Sequence, residues 1–161
     1  MISEPSVVEV TLASDLRNVE VAEEIALKVA GTAGFSEESQ HAIEMAVHES
    51  MINAIWHGNK NDASKNVWLR FEIFPDRLEI RVRDQGNGFN IAEVPDPCCS
   101  ANLLKVSGRG IFLIRTLMDE FRVAHLAGSG TEVTLVKRID PAHQPKQGGT
   151  DREYESHSST S

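Results

Sequence analysis

The sequence predicts an α+β two-layer sandwich, on three observations. Apolar residues recur at helical spacing over residues 16–57, alternating strands meet at a tight turn near residue 75, and no regular strand–helix–strand repeat follows. Val8, Val10 and Leu12 alternate with Glu9 and Thr11, as in a half-buried first strand. Ser14 or Asp15 caps a helix with apolar positions Leu16, Val19, Ala22, Ile25, Ala26 and Val29, and Gly31 is its expected stop. Ser36 caps a longer helix, with Glu37 and Glu38 at its positive end. This helix runs to about His57, where Gly58-Asn59 takes a left-handed turn. Val67, Leu69, Phe71 and Ile73 share one face of a strand. Pro75-Asp76 turns the chain, and Leu78, Ile80 and Val82 alternate with Glu79, Arg81 and Arg83 to complete a hairpin. Asp84-Gln85-Gly86-Asn87-Gly88 ends it, and an irregular segment rich in turn formers spans about Asn90 to Ser107. A helix is expected after Gly110, with Ile111, Ile114, Leu117 and Met118 at helical spacing. Phe121, Val123 and Leu126 outline another strand, and Gly128-Ser129-Gly130 turns into a last strand from Thr131 to Val136.

Length and charge narrow the function classes. A chain of 161 residues predicts one domain with a core that needs no disulfide or structural metal. Sixteen Lys and Arg against 24 Asp and Glu give a net charge of −8, which disfavours nucleic-acid backbones and anionic membranes as partners. No apolar run approaches the roughly 20 residues of a membrane span, and Met1-Ile2-Ser3-Glu4-Pro5 does not read as a secretory signal. The only cysteines, Cys98 and Cys99, are adjacent; a bridge across about 3.8 Å between neighbouring Cα atoms would be strained. Free thiols without a signal place the chain in the cytoplasm. From Asp140 to Ser161 there is no Val, Ile, Leu, Met, Phe or Trp, so residues 1–139 are expected to form the domain and 140–161 a disordered tail.

Three segments carry chemistry. On the long helix, Ile43, Val47, Ser50, Met51 and Ala54 form a stripe for the sheet, while Met45, Glu49, Ile52, Asn53 and Trp56 lie on another flank. Glu49 and Asn53 are four residues apart and project together. A Glu among Met, Ile and Trp either pairs with His48, His57 or an Arg, or lines a partly dry pocket. In such a pocket a carboxylate can accept a proton and an amide oxygen can bind a hard cation. Asp84-x-Gly86-x-Gly88 follows an alternating strand: an Asp there can accept from an exocyclic amine, and the glycines admit a flat ligand, although the same spacing also describes an ordinary turn. Gly108-Arg109-Gly110, read as lying just before a helix, offers free N–H groups to phosphate, with Lys105 and Arg109 adding positive charge. Neither the P-loop pattern nor a Rossmann Gly-x-Gly-x-x-Gly is present.

In this order, Glu49-x-x-x-Asn53, Asp84-x-Gly86-x-Gly88, Gly108-x-Gly110 and the late Gly130-Thr131 resemble the N, G1 and G2 boxes and closing Gly-Thr of the GHKL (Bergerat-fold) ATPases. Residues 48–59 and 107–119 look most like the anti-sigma factor serine-protein kinases, and the resemblance covers about residues 7–138. It implies a mixed, mostly antiparallel sheet with helices on one face. It also implies ATP and Mg²⁺, with Glu49 as general base, Asn53 as the Mg²⁺ ligand and Asp84 accepting from the adenine amino group. Gly86 and Gly88 would shape the base pocket, Gly108, Arg109 and Gly110 would lie along the phosphates under a lid of about Asn90–Ser107, and Thr131 would reach the adenine side. The implied reaction is phosphorylation of a Ser on a STAS-domain anti-anti-sigma partner. A sigma factor would compete for the kinase, usually a homodimer; the alternative is an ATP-binding switch that sequesters a partner without phosphotransfer. Some relatives carry Arg just before the Ser-Gly of the last box, where this chain has Val106, so the phosphate cation would be Lys105 or Arg109.

Other residues read as structural. No Cys or His spacing matches a zinc site. His57 suits a helix C-terminus, where a cation is favoured. Trp56 and Trp68 read as core or interface anchors, and Arg81 and Arg83 as a solvated strand face or a partner surface.

Overall fold

A computed structural model describes residues 4–86, 106–126 and 130–141, with side chains in 106–126 described from Arg109 onward. The expected lid as far as Lys105, Gly88, Cys98-Cys99 and the tail beyond Pro141 lie outside the described residues. Five strands, β1 (Ser6–Ala13), β2 (Asn66–Ile73), β3 (Arg77–Arg83), β4 (Glu120–His125) and β5 (Thr131–Arg138), form one sheet in the order β1-β2-β3-β5-β4. Every pairing among the described residues is antiparallel, so the expected mixed sheet is corrected to a purely antiparallel one.

Helices α1 (Arg17–Ala33), α2 (Glu37–Ile52) and α3 (Val106–Leu117) share one core with the sheet. The predicted stripe of α2 is buried: Ile43, Val47 and Met51 are fully enclosed with Leu69, Phe71, Ile80 and Leu135. Each such side chain contributes on the order of 1.5–3 kcal/mol by leaving water. The predicted alternation of the hairpin holds, since Val67, Leu69, Phe71, Leu78, Ile80 and Val82 all point into the core.

Several boundaries differ from expectation. Ser36 caps α2 as predicted, its hydroxyl accepting the Ser39 N–H at 3.2 Å. At α1, however, Ser14 is buried in another network, while the Asp15 carboxylate accepts the Arg17 N–H at 2.9 Å. Gly31 stays inside α1, and Gly34, with φ of 91°, ends it. The last turn of the long helix is a π turn over Asn53–Gly58, closed by the Asn59 N–H on the Ala54 carbonyl at 2.8 Å. Left-handed backbone therefore falls at Lys60 and Asn61 instead of Gly58-Asn59. Helix α3 begins at Val106, so Gly108-Arg109-Gly110 lies within it and the irregular segment stops short of Ser107. Strand β5 runs two residues past the expected end, and Leu126 lies just beyond β4.

The sheet face away from the helices is charged. Glu72 there takes Arg70 at 3.1 Å and Arg81 at 3.3 Å. The Arg83 guanidinium stacks 5.3 Å from the Trp68 ring. Arg81 and Arg83 are thus half-buried partners within this face, not a freely solvated row. Trp68 lies on this face, outside the core, and Trp56 is 53% exposed on the helix flank.

Candidate nucleotide site

The long helix touches two other segments at successive points. Glu49 is half-buried and Asn53, one turn on, is 5% exposed. Helix α3 meets this flank at Gly110: a methyl group built there would stand 2.7 Å from Glu49 Oε2 and 3.7 Å from Asn53 Nδ2. Among the described residues neither side chain has a hydrogen-bond partner, and the Glu49 carboxylate takes neither His48 nor His57. His48 pairs instead with Glu23 of α1. Burial and the neighbouring Lys60 push the His57 imidazole down, which disfavours its charged form at this helix end.

One π turn further, at Gly58, the same helix abuts Asp84, which follows β3. The approach is so close that a side chain at Gly58 would overlap the Asp84 carboxylate, and one at Gly86 would overlap the Gly58 carbonyl. Asp84 is 2% exposed. Its N–H donates to the Thr131 carbonyl at 3.0 Å, and its Oδ1 accepts from the N–H groups of Gly86 at 2.9 Å and Thr131 at 3.2 Å. Burial pushes the Asp84 carboxyl up; those two N–H groups, and more distantly Lys65 and His125, pull against it. Beside it, the Thr131 hydroxyl is buried and has no hydrogen-bond partner among the described residues.

This pair is chemically incomplete. A desolvated carboxylate and an orphaned hydroxyl each lose free energy until a donor and a second polar atom arrive together. An aromatic amine beside a ring nitrogen supplies both. At the other end, a carboxylate and an amide on adjacent turns offer hard oxygen atoms of the kind Mg²⁺ takes. The Gly108 N–H is the last of the first four of α3, which lack partners inside the helix, whereas the Arg109 N–H is the first to bond within it. Gly110 is too far into the helix for that, and its use is to make room for Glu49. From Glu49 to Gly58 the helix advances about 13 Å at ordinary rise, which sets the distance between the two ends of the site.

The structure brings Gly110 to Glu49 and Asn53, and Gly58, Gly86 and Thr131 to Asp84, around the end of the long helix; Arg109 is exposed on α3 next to Gly110. Gly108 enters in the first turn of α3, and Gly88 and Lys105 lie outside the described residues. One organising residue was not legible. Asn59 is fully buried; its Nδ2 donates to Ser14 Oγ at 2.5 Å and the Asn66 carbonyl at 3.0 Å, and its Oδ1 accepts the Gln85 N–H at 2.7 Å. In sequence it looked like a turn residue, and its partners lie up to 45 positions away.

The family model for the histidine kinase-like ATPase domain matches residues 12–137. The serine-protein kinase RsbW of Bacillus licheniformis is 35% identical over 133 residues, covering 79% of this chain and 81% of that protein. The serine-protein kinase RsbW of Bacillus subtilis is 33% identical over 118 residues, covering 70% and 72%. Among solved structures, the RsbU and RsbW domains of Rv1364c from Mycobacterium tuberculosis match with a TM-score of 0.62 at 18% identity. That match covers 83% of this chain but 32% of the other, and it carries the fold alone.

Proposed function

The chain belongs to the histidine kinase-like ATPase domain family, and from that premise we propose that it is an ATP-dependent serine-protein kinase acting as an anti-sigma factor. Its substrate is a Ser on a STAS-domain anti-anti-sigma protein, a sigma factor competes with that protein, and the working kinase is a cytoplasmic homodimer. One observation supports the site assignment above all: a single helix end sets the Glu49–Asn53 pair against α3 and, one π turn on, abuts the buried Asp84–Thr131 pair.

Each side chain then has a task. Asp84 accepts from the adenine amino group and the Thr131 hydroxyl meets the ring edge, with Gly86 and Gly88 leaving room for the base. Asn53 would hold Mg²⁺ by its amide oxygen. Mg²⁺, when bound, neutralises the charge on the phosphates. The Gly108 N–H, with the Arg109 or Lys105 cation, lies along the phosphates. As the partner's Ser oxygen bonds to the γ-phosphorus and the bond to ADP breaks, Glu49 takes the hydroxyl proton.

The test is Glu49→Gln with labelled ATP and a STAS-domain partner. Phosphate transfer should vanish while Mg-ATP binding persists. Undiminished transfer removes Glu49 as the base, and a wild-type chain that binds ATP and partner without transfer turns the assignment into the sequestering switch.

A further inference from the structure

We infer that Asn59 is a positioning residue that locks the base-recognition end of the site to the phosphate end, and thereby sets the preference for adenine. The inference rests on the nucleotide assignment above. Asn53 opens the π turn and Gly58 closes it, so the turn that carries the cation ligand ends against the Asp84 carboxylate. A π turn has one more residue per hydrogen-bonded ring than an α turn, and it persists only where other contacts hold it. Asn59 supplies those contacts. Its N–H closes the turn on Ala54, while its side chain is bonded at both atoms to three separate strand ends: Ser14 after β1, Asn66 opening β2, and Gln85 just after Asp84. Gln85 returns the tie through its Oε1, which accepts the Asn66 N–H at 2.6 Å.

The bond from Gln85 N–H to Asn59 Oδ1 is therefore a direct strut between the π turn and the segment Asp84–Gly86. If it goes, Asp84 keeps its ladder to Thr131 but loses its fixed distance from Gly58 and Asn53. A carboxylate held in place accepts from the 6-amino group of adenine and repels the 6-oxo group of guanine; a carboxylate free to shift discriminates less. Ser14 offers an internal contrast. Its hydroxyl accepts from the Asn59 amide and its N–H donates to the Lys65 carbonyl, and among the described residues it makes no hydrogen bond to Asp84, Gly86 or Thr131.

The experiment measures Mg-ATP and Mg-GTP binding by calorimetry, with thermal melting alongside, for wild type, Asn59→Ala and Ser14→Ala. Asn59→Ala should weaken ATP about tenfold and reduce the ATP-over-GTP ratio by a similar factor. Ser14→Ala should lower the melting temperature and leave that ratio unchanged. An unchanged ratio in Asn59→Ala, or an equal fall in Ser14→Ala, overturns the inference and makes Asn59 merely structural. Should Asn59→Ala not fold, hydrogen exchange on the wild type decides. On addition of Mg-ATP, the amides of Asn59, Asn61 and Gln85 should gain protection together, by about tenfold or more; a gain at Gln85 alone overturns the coupling. A wild-type chain that binds neither nucleotide refutes the nucleotide assignment itself.

Discussion

An alanine at position 110 adds one methyl group between α3 and the Glu49 carboxylate. Gly110 is a helical residue with no left-handed backbone, so the new side chain raises helix propensity by about 1 kcal/mol. The methyl would first stand 2.7 Å from Glu49 Oε2, and relaxing to ordinary contact at 3.4 Å moves that oxygen by about 0.7 Å. The atom that must yield is the free end of a flexible, half-buried side chain, so the move costs little stability. Asn53 Nδ2, at 3.7 Å, need not move. Gly110→Ala should thus be as stable as wild type or melt up to about 2–4 °C higher. Phosphate transfer should fall by about a hundredfold, because misplacing a reacting group by the better part of an ångström has that effect. Thermal melting, Mg-ATP calorimetry and labelled transfer on one preparation check all three. Wild-type transfer together with a raised melting temperature would refute the placement of Glu49 against α3 as the reacting group.

Asp84→Asn keeps an acceptor for the Gly86 and Thr131 N–H groups but presents an amide to the base, so adenine binding should drop at least tenfold by calorimetry. The raised carboxyl of Asp84 has a definite sign: it favours the ligand-free fold below its unfolded value and loses that contribution as pH rises through its folded value. Denaturation across acid to neutral pH should show this slope in wild type and a flatter one in Asp84→Asn. ATP affinity should run the opposite way, weakening as the carboxyl protonates. Ser36→Ala removes the cap of α2 and should cost about 1 kcal/mol in urea titrations, with nucleotide preference unchanged.

Much of this architecture was legible because it rests on local rules. The period-two pattern of β2 and β3 and the Ser36 cap need only neighbours in sequence, and the stripe Ile43–Val47–Met51 needs only helical geometry. What escaped obeys contacts between distant segments. A 3.6-residue period carries the eye past Asn53 without showing that the helix widens there. The glycines at 108 and 110 looked like a reason for a helix not to have started, yet α3 absorbs them, and Gly31 lost to Gly34 for the same reason. Asn59 had no local signal at all. Its three partners meet only once β1, β2 and the end of β3 are in place.

The last strand among the described residues, β5, is not a sheet edge: it lies between β3 and β4 and delivers Thr131 to Asp84. No portion of the chain that ends before residue 131 can therefore bring Thr131 to the buried Asp84, because β5 must first enter the middle of the sheet. A bound nucleotide then becomes a certificate of complete folding, and at a hundred times its dissociation constant it would add about 2.7 kcal/mol to the whole body at once. Cleavage anywhere between β3 and β5 should forfeit that protection unless the two pieces stay paired.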